Sequence, residues 1–200
     1  MKKYSQNNEQ EIILNYFKNQ AMGTYLDIGA YDPETFSNTR GLYELGWRGV
    51  LVEPAEMNFQ VLQKYFYKDN AMQVIQTCVG DYDGEIPFYD SNGDAIGTTV
   101  ATHAKIWEQG YGTKYTTVQS RVITFESLMK MTIYKKFDFI NIDVEGMDFL
   151  IFRQIDFNSV GCSLVCVEYN GREKEKYLGL MHRQQFRLIH SNGENLIFGK

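Results

Sequence analysis

Only 3 prolines and 3 cysteines occur in 200 residues, and no hydrophobic run approaches the roughly 20 residues that cross a bilayer as a helix. Cys78, Cys162 and Cys166 are too few for a disulfide framework. The last two fall in one strand-like run, where a rise of about 3.3 Å per residue sets their Cα atoms roughly 13 Å apart, beyond disulfide reach. They are expected to be small buried hydrophobes. The first eight residues lack the apolar stretch of a signal peptide, so a reducing cytoplasm is the expected compartment and no membrane partner is expected. Scarce proline beside 17 glycines excludes collagen-like and low-complexity classes. Positive charge is in deficit, with 20 Lys+Arg against 25 Asp+Glu and a net charge of −5. Long-range electrostatics then favour cationic or neutral small partners over a nucleic-acid backbone, and no nucleic-acid partner is expected.

What is present is core-forming material, 44% hydrophobic and 14% aromatic, enough for a single domain spanning 1–200. Ile12, Ile13, Tyr16 and Phe17 form an i, i+3, i+4 stripe that predicts an amphipathic helix over 9–17. Apolar runs closed by polar residues predict strands at 25–28, 49–53, 72–79, 137–144 and 163–167, with helices at 37–46, 55–67 and 147–155 between them. That alternation is the pattern of parallel βαβ units. Residues 80–124 break it with Gly, Thr, Tyr and Asp, and read as an insertion or lid with a turn at Asn92-Gly93 and a strand over 115–123. A polar helix over 172–184 precedes an antiparallel hairpin, 186–189 with 196–198, turning at Asn192-Gly193. The fold class is therefore α/β, a Rossmann-like sheet, mostly parallel, with an antiparallel C-terminal hairpin. Open sheets of this kind bind ligands at the carboxyl ends of their strands.

Those ends carry acids: Asp27 before Gly29, Glu53 before Pro54, Asp143 with Glu145, and Glu168. A lone acid there serves equally well as a helix cap; four along one sheet edge point to ligand chemistry. A dinucleotide fingerprint needs G-x-G-x-x-G, and only Gly29 is present. Asp27 and Asp32 oppose a pyrophosphate but favour a ligand bearing sulfonium and ammonium groups, and Glu53 suits a ribose diol as a two-oxygen acceptor. S-adenosyl-L-methionine satisfies both requirements. In the insertion, His103 stands near Trp107, Tyr111 and Tyr115, a set able to wall an acceptor pocket or deprotonate a hydroxyl.

Five stretches carry a resemblance to a known family: Tyr4-Ser5-Gln6, Leu26-Asp27-Ile28-Gly29-Ala30-Tyr31-Asp32, Ser37-Asn38-Thr39, Gly46-Trp47-Arg48-Gly49-Val50-Leu51-Val52-Glu53-Pro54, and Phe139-Ile140-Asn141-Ile142-Asp143-Val144-Glu145-Gly146. In this order the chain resembles the FkbM-type S-adenosylmethionine-dependent methyltransferases, departing by Pro33 where glycine is usual. The resemblance implies a seven-stranded sheet whose last strand inserts antiparallel. It also implies a cofactor site of Asp27, Gly29, Ala30, Tyr31, Asp32, Ser37, Asn38, Thr39, Glu53, Pro54, Val79 and Asp81. Asp27, Gly29 and Ala30 would hold the methionine end, Glu53 the ribose, and Val79 and Asp81 the adenine edge. Asp143 is the expected catalytic carboxylate, with His103 as a second candidate, and Glu145 is expected to support the following helix. The expected reaction is O-methylation of a hydroxyl on a sugar or other small metabolite. No metal is expected, although Asp143, Glu168 and Asn170 are the oxygen ligands that would gather around magnesium. The alternatives are a nucleotide-dependent (NAD or NADP) oxidoreductase and a non-catalytic S-adenosylmethionine-binding module.

Overall fold

Short apolar runs such as Thr24–Ile28 and Phe139–Ile142 become strands covered on both faces in the computed structural model, which describes residues 2–200. In chain order the elements are α1 (Glu9–Tyr16), β1 (Thr24–Ile28), α2 (Arg40–Glu44), β2 (Arg48–Val52), α3 (Glu56–Phe66), β3 (Gln73–Ile75), β4 (Cys78–Gly80), β5 (Gly84–Asp90), α4 (Ala101–Tyr111), β6 (Thr116–Thr124), α5 (Phe125–Met131), β7 (Phe139–Ile142), α6 (Asp148–Phe152), β8 (Leu164–Glu168), α7 (Lys174–Arg183), β9 (Arg187–Ser191) and β10 (Asn195–Gly199). Seven strands make one sheet in the order β3-β2-β1-β7-β8-β10-β9. The first five are parallel, and β10 runs antiparallel between β8 and β9, as the resemblance implies. A separate three-stranded sheet, β4-β6-β5, stands beside it.

The two-residue strand period divides the core. Leu26, Ile28, Ile140, Ile142, Val165 and Val167 face one side, where they pack with Phe125, Leu128, Ile151, Phe152, Tyr177 and Met181. Tyr25, Leu51, Phe139, Leu164 and Cys166 face the other, with Ile13, Phe17, Leu42, Trp47 and Leu62. The same parity places Asp27 of β1 opposite Asn141 of β7, and Asn141 opposite Cys166 of β8. Sequence order departs from β1 in both directions, to β2 on one side and β7 on the other, so the crevice at their carboxyl ends is the topological switch point.

Several elements differ from the sequence reading. The strand expected over 72–79 divides at Gln76-Thr77. β3 pairs with β2 and β4 with β6, and the Thr77 hydroxyl lies 3.0 Å from the carbonyl of Cys78 and 3.1 Å from that of Arg121. Within 80–124 the chain forms a helix the composition obscured: α4 buries Ala104 and stops at Gly112, whose left-handed conformation (φ 71°) lets its N–H reach Glu108. Asn92 and Gly93 are both left-handed and turn the chain so that Tyr89 of β5 bridges Thr98 antiparallel, while the long ladder of β5 is made with β6 after α4 has intervened. α5 was missed although Thr124 carries an N-cap signal, its hydroxyl accepting the Ser127 N–H at 3.2 Å. The expected helix over 147–155 is only Asp148–Phe152, because the amides of Gln154 and Ile155 close on carbonyls three residues back. At the C-terminal hairpin the Asn192 side chain itself makes the turn, accepting the N–H groups of Glu194 and Asn195 at 2.9 and 2.6 Å.

Candidate functional site

β1 ends in a turn that only glycine fits. Gly29 has φ 88°, and a Cβ there would collide with the carbonyl oxygen of Asp143. The Gly29 and Ala30 amides both donate to Val52 at 2.9 and 3.1 Å, and the Asp143 amide donates to Ile28 at 2.9 Å. The ends of β1, β2 and β7 are thereby locked together, with Gly29 and Asp143 lining the space above them.

Two clefts meet there. The first, about 570 Å³, has an apolar slot formed by Ala55, Cys78, Val79 and Phe88, with Thr77, Glu53 and Pro54 beside it. The second, about 1360 Å³, is more polar, lined by Ala30, Ser37, Asn38, Asn141, Glu168, Asn170, Glu194 and Asn195 and by the aromatic side chains Phe36, Trp107 and Tyr111. Gly29, Tyr31, Asp94, Ala95, Asp143 and Glu145 line both, so they form the boundary.

Glu53 is the acid of the first cleft. Its two oxygens accept the Tyr31 and Ala55 amides at 2.9 and 2.8 Å. Although it stands at a strand end it is only 5% exposed, and burial pushes its pKa up to about 7 against those two donors. Asp27 is 2% exposed and likewise engaged, accepting Thr39 Oγ1 at 2.7 Å and Asn141 Nδ2 at 2.8 Å; burial raises it to about 6. Asn38 Nδ2 completes the network by donating to Asn141 Oδ1 at 3.0 Å. The Ser37-Asn38-Thr39 segment thus orients Asp27, while the Ser37 hydroxyl accepts the Arg40 amide at the start of α2.

The loop after β7 is the most acidic part of the site. Asp148 caps it, accepting the Val144 and Gly146 amides at 2.9 Å each. This is the supporting role expected of Glu145. Glu145 itself is left-handed (φ 57°), lines both clefts, and is pushed up to about 8 by burial and by Asp148, Glu194 and Asp94. Burial, then the charges of Glu145, Asp148 and Asp27, raise Asp143 well above the carboxylate range; Glu168 is raised by burial and then by Asp143.

Some expected residues are not in the clefts. Asp32 turns away to accept the Glu34 and Thr35 amides, and Asp81 is exposed, leaving Thr77, Cys78 and Val79 at the apolar slot. His103 lies behind Glu145 in a neighbouring hollow. Its Nδ1 donates to the Glu145 carbonyl at 2.7 Å, the only role a ring nitrogen can take toward a carbonyl, so it braces the loop. Tyr115 donates its hydroxyl to Ile96 instead of facing the cleft. Asn141 and Asp148 were missed; Asn141 carried a signal, since strand parity pairs it with Asp27.

The raised carboxylates set a pH dependence. Asp27, Glu53 and Glu145, at about 6, 7 and 8, hold protons in the folded chain that the unfolded chain releases near the ordinary carboxylate values of 3.8 to 4.5. The folded state then binds more protons, and stability falls as pH rises, by about 1.4 kcal/mol per pH unit for each group protonated only when folded. The ligand-free, metal-free protein is expected to melt at progressively lower temperature from about pH 5 to about pH 8. Melting scans across that range check this, and a flat or rising Tm contradicts it.

The donor set suits S-adenosyl-L-methionine: an apolar slot for a purine, Glu53 beside it for a ribose diol, and carboxylates toward the sulfonium and ammonium end. Comparisons with known proteins agree with that cofactor. A family model described as Methyltransferase FkbM domain matches residues 27–191. Among solved structures the chain is similar to precorrin-6Y C5,15-methyltransferase from Geobacter metallireducens (10% identity, 100% of this chain and 92% of that one, TM-score 0.54). It is also similar to an O-methyltransferase from Bacillus cereus in complex with S-adenosylhomocysteine (12% identity, 96% and 80%, TM-score 0.51) and to the N-terminal domain of human METTL16 in complex with S-adenosylhomocysteine (11%, 96% and 67%, TM-score 0.51). At these identities the likeness concerns the fold. No curated protein sequence matches the chain significantly.

Proposed function

The chain belongs to the FkbM methyltransferase domain family, whose methyl donor is S-adenosyl-L-methionine, and from that premise we propose that it methylates a hydroxyl of a small acceptor, with carbohydrate the first class to test. The observation that carries this reading is the junction of the two clefts at Gly29 and Asp143. Glu53 and the slot at Val79 and Phe88 would hold the nucleoside of the donor, and Gly29, Ala30 and Tyr31 its methionine end. When bound, the donor supplies a methyl group on a cationic sulfur.

Acceptor recognition falls to the second cleft. Phe36, Trp107 and Tyr111 offer aromatic faces to the C–H face of a sugar ring, and Asn38, Asn141, Glu168, Glu194 and Asn195 surround them with acceptors and donors for hydroxyls. Positioning the acceptor in line with the methyl group supplies much of the acceleration. Asp143, with its raised pKa and its place on the boundary, accepts the hydroxyl proton. A nucleotide-dependent oxidoreductase is disfavoured by Asp27, Asp143, Glu145 and Glu168, which oppose a pyrophosphate.

The test is release of S-adenosylhomocysteine from S-adenosyl-L-methionine with panels of mono- and oligosaccharides, catechol-like phenols, amines and RNA. Turnover with a sugar hydroxyl is the expected result. Turnover only with amines or RNA would overturn the O-methylation reading, and cofactor binding with no acceptor turned over would favour a binding module.

A further inference from the structure

Six buried or partly buried carboxylates crowd the ends of β1, β2, β7 and β8, and they divide into two kinds by what their oxygens touch. Asp27, Glu53 and Asp148 each receive two protein donors at 2.7–2.9 Å. Asp143, Glu145 and Glu168 have no such pair, yet each places one carboxylate oxygen within 4.8 Å of the other two. Glu168 is 8% exposed, and its Oε2 is buried without a hydrogen-bond partner. A desolvated carboxylate oxygen left unpaired costs several kcal/mol or forces the group to protonate.

Among the described residues no lysine or arginine forms an ion pair with any of the three. His103 Nδ1 lies 3.7 Å from Glu145 Oε2, but its proton is directed to the Glu145 carbonyl. The backbone fixes the arrangement: Glu145 is left-handed and Asp148 holds the turn around it. Three carboxylates with mutually close oxygens, one of them Glu168 with its buried and unpartnered Oε2, on a fixed loop and a central strand, are the kind of donor set a hard dication takes.

We infer, against the metal-free expectation from the sequence, that Asp143, Glu145 and Glu168 bind one divalent cation of the magnesium or manganese class in the second cleft beside its boundary with the first. Such ions take carboxylate oxygens and keep open positions for water or a substrate oxygen. The ligand from the loop is Glu145, and Asn170 is a neighbour in the same cleft. The binding site stands on the geometry alone; its catalytic role rests on the methyltransferase reading. In that role the cation lowers the pKa of the acceptor hydroxyl, whose proton passes to water, Asp143 being its acceptor only where no cation is bound. The freed oxygen pair forms the O–CH₃ bond as the S–CH₃ bond breaks, and sulfur keeps the electron pair of the broken bond, becoming a neutral thioether.

The experiment is titration of the metal-stripped full chain with Mn²⁺, followed by the electron paramagnetic resonance signal of free Mn²⁺, with S-adenosylhomocysteine affinity measured separately by calorimetry. One Mn²⁺ per chain, displaced by excess Mg²⁺, is expected. In Glu145→Gln and Glu168→Gln variants that keep a cooperative melt, Mn²⁺ affinity should fall by more than the roughly 10-fold that loss of an outer-shell partner costs. No uptake by the wild-type chain, or unchanged uptake in the folded variants, overturns the site whether or not any variant folds. Thioether binding without Mn²⁺ uptake removes the metal and leaves the methyltransferase reading; Mn²⁺ uptake without thioether binding does the reverse. Turnover that survives exhaustive chelation overturns the catalytic role.

Discussion

Replacing Asp143 by asparagine is expected to lower methyl transfer about 10²–10⁴-fold, the contribution a positioned acid–base group makes, while S-adenosylhomocysteine affinity changes only a few-fold. The substitution keeps side-chain size, and the backbone bond from the Asp143 amide to Ile28, which holds the loop to β1, is unaffected. What is lost is a charge whose surroundings disfavour it: burial first, then Glu145, Asp148 and Asp27, raise its proton affinity well above an ordinary carboxylate. That environment makes it a stronger base toward an acceptor hydroxyl. Removing one charge from a crowded acidic cluster should also stabilise the ligand-free chain. A variant that melts higher, binds the thioether and turns over slowly is the expected combination. Undiminished turnover would remove Asp143 from the reaction.

Residues whose signal is local were legible before folding. Gly29 follows an apolar run and precedes a loop, and Glu53 closes the next run before proline; both lie at strand ends facing the crevice. The seven-stranded, mostly parallel sheet was legible as well, through the resemblance, including the antiparallel insertion of β10. What escaped depends on partners distant in sequence. Whether an acid is a ligand or a cap is decided by which amides reach it, and Asp148, three residues on, has the supporting role expected of Glu145 for that reason. His103 offered an aromatic neighbourhood in sequence, but its bond to a carbonyl 42 residues away holds its ring behind Glu145. The helix α4 was hidden because its buried face is narrow; Ala104 is its one fully buried residue, so the amphipathic period is faint.

The second large effect concerns Glu53, where burial changes what a mutation does. An accessible strand-end carboxylate would be dispensable for folding, whereas this one joins the Tyr31 amide of the β1 loop to the Ala55 amide that opens α3. Glu53→Ala therefore leaves two buried donors unpaired and should lower Tm along with cofactor affinity. Glu53→Gln is the milder change, because it retains the volume and one carbonyl acceptor and leaves only one of the two backbone amides unpaired. Loss of one hydrogen bond and of the charge behind the other is worth on the order of 2–4 kcal/mol, so S-adenosylhomocysteine should bind the Gln variant about 30- to 1000-fold more weakly at pH 8. The sign with pH follows from the raised pKa. Below about 7 Glu53 is protonated and a poorer acceptor for a ribose diol; above it the carboxylate accepts both hydroxyls. Wild-type affinity should thus rise as pH passes through about 7 and then level off, while the Gln variant lacks that component. Calorimetric titrations of both proteins from pH 6 to pH 8.5 measure the difference. A folded Glu53→Gln chain with the wild-type affinity and the wild-type pH profile would place the ribose elsewhere in the first cleft.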